Sequence, residues 1–369
     1  MSWPRRILFN ALLVLGAWLA LLVLTALVGD IINQVKMVRP AADDRIDLPN
    51  YPDKAQARRM FADFKRTIED YVPYLAWRRL PMQTEFVNVG EDGFRIHRTG
   101  RDNDVDARTL GFFGGSTVWG TGVDDESTIP AIFDQITTGF DVTNYGEGGH
   151  TTRQMIALLV NLINTDRMPK IVVFYDGFNH IWTHCNYAVT RNLNGHMVER
   201  KLRRALTERP QGGYLYADIV APPLDFFRRV IGEKKFIRNE HVCHSDLERA
   251  RRVADVLVRN WEIAHMLVTG HGGEFYAFLQ PVAYIGSPRL DHLTLGRKLG
   301  PGQFQTVYPM IREKVAELGL DYVFDIGDAF DVDEYLYIDD AHVTRPGNEI
   351  IARRMLEVIG GEQALARAR

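Results

Sequence analysis

TLGFFGGSTVWG, residues 109–120, decides the fold. An apolar run ends on paired glycines and delivers a serine, the pattern of a buried strand whose carboxyl end turns sharply at a sheet edge. IVVFYDGFNH, residues 171–180, repeats the form with an asparagine in the turn. Outward from these two stretches the hydrophobic period alternates. Strands are expected at Thr109–Phe113, Phe140–Tyr145, Ile171–Tyr175, Phe275–Leu279 and Tyr322–Ile326. Helices are expected at Ser127–Thr137, Thr151–Asn164, Asp246–His271, Gln303–Leu318 and Arg345–Ile359, the last opened by Pro346. Strands alternating with helices predict an α/β fold, a three-layer α/β/α sandwich on a parallel five-stranded sheet.

The chain has 369 residues, 46% hydrophobic and 25% charged, enough for one large α/β domain with extensions. A net charge of −3 gives no electrostatic footprint for nucleic acid, so DNA and RNA are set aside as partners. Residues 7–28 carry no charge. As a helix they span about 33 Å, enough to cross a bilayer core. The run is long for a secretory leader and TALVGD offers no small-residue cleavage site, so it reads as an uncleaved signal anchor. Arg5 and Arg6 precede it and favour an inside N-terminus, although Lys36 and Arg39 follow closely. The expected location is therefore the inner (plasma) membrane, single-pass, with the rest of the chain periplasmic.

The expected organisation is an anchor at 1–29, a linker at 30–53, a helical and hairpin extension at 54–107, and the α/β domain at 108–362. In the extension a helix at Lys54–Asp70 precedes the aromatic stretch YVPYLAWRRLP, and Asp92-Gly93 marks a hairpin turn. Tyr71, Tyr74 and Trp77 either stack on sugar rings or pack the extension onto its domain. An insertion at 180–245 holds 11 Lys/Arg against 6 Asp/Glu, so it suits either an anionic headgroup or glycan, or a solvated helical flap. Cys185 and Cys243 flank it, either paired or as two buried thiols. With His184, His241 and His244 they suggest zinc, but the spacing fits no standard site, and a disulfide stapling the insert's ends fits better. No metal and no cofactor is expected.

Open α/β sheets bind ligands at the carboxyl ends of their strands. Three candidate segments start there: Gly114-Gly115-Ser116-Thr117, Asn144-Tyr145-Gly146-Glu147-Gly148-Gly149 and Gly177-Phe178-Asn179-His180. A fourth, Asp339-Asp340-Ala341-His342, lies before the last helix at the same edge. A serine hydroxyl is a weak nucleophile and needs a base within hydrogen-bond reach. His342 supplies one, and Asp339, with Asp340 competing, would fix its tautomer. The Ser116 and Gly146 N–H groups and the Asn179 carboxamide would receive an oxyanion. GxSxG, HExxH, CxxC and the phosphate loop are all absent from the sequence.

In this order the four segments resemble the signature blocks of the SGNH hydrolases, the GDSL-type esterase superfamily, over roughly residues 108–360. LQP at Leu279–Pro281 resembles a strand-end segment of exported bacterial members. The resemblance implies Ser116 as nucleophile, His342 as base, Asp339 as its partner, and Ser116, Gly146 and Asn179 as oxyanion donors. It also implies a membrane-anchored serine esterase acting on an acylated glycan or lipid of the envelope. An O-acetyltransferase using the same acyl-serine, and a catalytically degenerate subunit docked to a membrane-protein partner, remain open beside it. Two positions depart from the pattern: Gly115 stands where an Asp usual to the family precedes the serine, and His180 where an Asp follows the asparagine. The first Asp is no triad member. His180 would support the Asn179 loop less well, or touch substrate.

Overall fold

The computed structural model describes residues 3–38, 43–98, 107–185, 241–295 and 300–360, in two units. The described part of the first is helix α1, Trp3–Val38, whose stretch Trp3–Leu21 is long and apolar enough to cross a membrane, with mean hydropathy 1.3. The helix runs nine residues beyond the expected anchor end. IINQVKMV contains neither glycine nor proline, and the first proline after the apolar run is Pro40. Residues 44–53, expected as linker, belong instead to the second unit, where Ile46 and Tyr51 are buried.

In that unit α2 (Lys54–Arg66) starts on Asp53, whose carboxylate accepts the N–H groups of Ala55 and Gln56, and it ends earlier than expected. β1 (Glu69–Asp70) pairs antiparallel with β2 (Arg78–Arg79). The Asp92-Gly93 turn is present, with Gly93 at φ 79° and Val89 bridged to Arg95.

The large sheet comprises β3 (Arg108–Gly114), β4 (Phe140–Asn144), β5 (Ile171–Asp176), β6 (Glu274–Leu279) and β7 (Val323–Asp325). Their spatial order is β4-β3-β5-β6-β7 and every pairing is parallel. All six residues of β5 are buried, as a central parallel strand requires. Its alternate side chains serve two cores. Val172 and Phe174 pack with α5 (Thr152–Asn164), α7 (Leu247–Gly270) and α8 (Pro301–Leu318). Ile171, Val173 and Tyr175 pack with α4 (Ile129–Ile136) and α9 (Arg345–Ile359). This is the expected three-layer sandwich.

A third cluster joins the 44–87 region to the domain. Ile46, Tyr51, Phe61, Phe86 and Val87 pack on Trp119 and Ile338, so the extension touches the two loops that carry the candidate nucleophile and acid. Trp77 is buried too, whereas Tyr71 and Tyr74 are exposed. Of the aromatic trio, Trp77 takes the packing role. Cys185 and Cys243 form a disulfide. It closes the ends of the insertion, of which residues 186–240 lie outside the described residues.

Candidate active site

The strand order places the switch point between β3 and β5, since the chain leaves β3 for β4 on one side and returns to β5 on the other. Ser116 and Asn179 start from the carboxyl ends of those two strands. Ser116 is the first residue of a single helical turn, α3 (Ser116–Trp119), with Gly115 as its N-cap. First-turn N–H groups have no intrahelical acceptor, so the Ser116 N–H is available to a ligand. The turn is fixed from behind by Arg95. Its buried guanidinium donates to Trp119 O at 3.0 Å, Gly120 O at 2.6 Å, Val123 O at 2.7 Å and Phe86 O at 3.2 Å, and pairs with Asp125 at 2.7 Å.

The acid–base loop closes on itself. Tyr337 bridges Val343, and Ile338 N–H donates to His342 O at 2.9 Å. The Asp339 Oδ1 accepts the N–H groups of Ala341 at 3.0 Å and His342 at 2.9 Å. That leaves the imidazole turned back over the carboxylate. His342 Nδ1 lies 2.8 Å from both Asp339 oxygens, and Nε2 lies 2.7 Å from Ser116 Oγ across 226 residues of sequence. Burial opposes the charge on Asp339, yet His342 and Arg45 outweigh it and hold the carboxyl well below the usual carboxylate range. Asp340 faces elsewhere and accepts the Tyr284 hydroxyl.

Asn179 is the second residue of α6 (Phe178–His184). Its carboxamide nitrogen donates to His150 O at 3.0 Å and lies where a Cβ on Gly115 would overlap it. Any side chain at residue 115 would therefore collide with that amide, which the glycine avoids. His180 turns inward. It is buried, with Nε2 3.1 Å from Val253 O and Nδ1 3.4 Å from Thr152 Oγ1, and burial with the neighbouring His184 drives its pKa well down. It supports the helix as a neutral ring and touches no site residue.

Gly146 does not present a free donor. Its N–H is given to Asn144 Oδ1 at 2.9 Å, and a Cβ there would meet Trp119 N at 2.5 Å. Along the same loop Glu147, Gly148 and His150 also have acceptors for their N–H groups, at Gly114 O, Glu147 Oε1 and Glu147 O. Gly149, at φ 76°, has none among the described residues, and it stands one residue from the carbonyl that holds Asn179. Two further residues were not anticipated. Arg45 donates to Asp339 Oδ2 at 3.0 Å. Arg79 pairs with the buried Glu147 and lies over the Trp119 ring, 3.9 Å from its centroid. Neither has a local sequence signal, because each contact joins distant segments.

No family model and no curated protein matches the chain. Solved structures similar to it include a lipolytic protein of the G-D-S-L family from Veillonella parvula, 14% identical over 69% of this chain and 100% of that one, with a TM-score of 0.39. A carbohydrate acetylesterase family member from Sinorhizobium meliloti is 16% identical over 70% of this chain and 99% of its own, also at 0.39.

Proposed function

We propose that this chain is a membrane-anchored serine esterase of the SGNH type, removing acyl groups, acetyl foremost, from an envelope glycan or lipid. One observation carries the reading: His342 spans from Asp339 to Ser116 with contacts of 2.8 and 2.7 Å. A base within hydrogen-bond reach of the hydroxyl and oriented by a carboxylate is what a serine nucleophile needs.

In the proposed reaction Ser116 Oγ attacks the ester carbonyl and His342 Nε2 takes its proton. Asp339 stabilises the imidazolium without becoming protonated itself. The carbonyl oxygen gathers charge beside the Ser116 N–H, the Asn179 amide and the Gly149 N–H, since the Gly146 N–H is taken by Asn144. His342 then protonates the leaving alcohol, and water, activated by the same ring, frees the acyl group from Ser116. The apolar helix α1 supports membrane attachment, and the Cys185–Cys243 disulfide supports an oxidising, extracytoplasmic setting.

The test uses the full chain in detergent micelles with p-nitrophenyl acetate and a fluorophosphonate probe. Turnover and a probe adduct on Ser116 are expected, both lost in Ser116→Ala. Turnover unchanged in that variant would refute the triad, and an unlabelled Ser116 would point to a docking subunit. Product analysis with and without a glycan acceptor separates hydrolysis from acyl transfer.

A further inference from the structure

Residues 44–53 reach both halves of the candidate site. Arg45 Nη1 donates to Asp339 Oδ2, the oxygen that His342 Nδ1 also approaches at 2.8 Å. Asn50 Nδ2 donates to the carbonyls of Tyr335 at 2.5 Å and Tyr337 at 3.3 Å, on the run leading into the acid–base loop. Tyr51 donates its hydroxyl to Gly122 O at 2.7 Å, just past the nucleophile turn. Ile46 and Tyr51 complete the grip by packing with Ile338 and Trp119. The segment is thus a strap from the acid side of the site to the serine side, and its one charge at the triad is Arg45.

We infer that Arg45 is a positioning residue of the triad, through which the strap sets both the orientation of Asp339 and the strength of its field at His342. The inference rests on the esterase reading. Both oxygens of Asp339 face the imidazole, but they differ in their second partner: Oδ1 also holds the loop N–H groups, while Oδ2 also accepts from the guanidinium. A carboxylate that shares an oxygen with a fixed cation stabilises a neighbouring imidazolium less. The guanidinium nitrogen lies no more than about 6 Å from the ring nitrogen through that oxygen. Other groups around the ring are Ser116, on its far nitrogen, and Asp340, whose carboxylate is taken up by Tyr284. Arg45 is therefore, among the described residues, the cation in contact with Asp339 that offsets its charge at the ring.

The experiment compares the full chain in detergent with Arg45→Met and Arg45→Lys. One readout is kcat/KM for p-nitrophenyl acetate against pH. The other is the titration of the His342 ring by NMR, which needs no turnover. Arg45→Met is expected to move the acidic limb of the rate profile, and the ring titration, upward by at least about half a pH unit, the effect of one charge about 6 Å away screened as by bulk water. Arg45→Lys is expected to restore most of that shift. An unmoved limb and titration, with a loss equal at every pH, would overturn the inference and leave Arg45 a purely structural contact. Were the wild-type chain to show no turnover and no Ser116 labelling, the esterase reading would fail, and the ring titration alone would still decide the role of Arg45.

Discussion

Replacing Gly115 by alanine puts a methyl group where the Asn179 carboxamide nitrogen sits. The backbone itself accepts alanine, because Gly115 lies at φ −85° and ψ −152°. The loss of a glycine N-cap on a four-residue turn costs roughly 0.5–1 kcal/mol of stability. What must move is the amide, the free end of a side chain held by one bond to His150 O at 3.0 Å. Under the proposed mechanism, swinging it aside removes one oxyanion donor, worth about 2.7–4 kcal/mol of barrier, so kcat is expected to fall about 10²–10³-fold. The assay is p-nitrophenyl acetate hydrolysis with urea unfolding alongside, on Gly115→Ala, Asn179→Ala and the double variant. If Gly115 acts through Asn179, the two losses overlap and the double variant is scarcely slower than Asn179→Ala alone. A Gly115→Ala enzyme within threefold of wild-type kcat, or losses that simply add, would refute the reasoning.

Two stability predictions follow from buried charge. Burial pushes the Asp176 carboxyl up to about 6 despite bonds donated by Thr152 and Trp261, whereas an unfolded chain would titrate it at about 3.9. Between about pH 4 and 6 the folded state then holds a proton that the unfolded state has lost. Stability falls as pH rises through that window, by up to about 3 kcal/mol, and levels off above it. Urea midpoints of Asp176→Asn against wild type should show the wild type losing ground from pH 4.5 to 7; parallel profiles would count against it. Arg95→Met strips the four carbonyls around the nucleophile turn of their donor and leaves the buried Asp125 without its cation, held by Asn88 alone. It is expected to cost about 3–5 kcal/mol by denaturant unfolding, and a loss under 1 kcal/mol would mean the turn holds itself.

Elements with a strong local period were legible in the sequence. The strand at Ile171 and the helix at Arg345 stand within a residue of expectation, because β-branched runs and a proline at the first helical turn speak for themselves. Ser116, Asn179 and the Asp339–His342 pair were legible as candidates for the same reason: each follows a strand or closes a short turn. Gly146 and Gly149 look alike as letters in a glycine-rich loop. Only the fold reveals that Asn144 has claimed one N–H and left the other. Arg45 was hidden more deeply, 294 residues from Asp339 inside a stretch whose prolines and polar residues read as a linker. His180 stood between supporting the Asn179 loop and touching substrate, and one residue further round the helix, about 100° from Asn179, is enough to bury it.

The disulfide between Cys185 and Cys243 changes what a cut in this chain would mean. Any break between residues 186 and 242 leaves a fragment carrying Ser116 and Asn179 and another carrying Asp339 and His342, joined by a covalent bond outside the backbone. Proteolysis there would yield a two-chain molecule with every catalytic candidate retained, one band until a reductant is added and two afterwards.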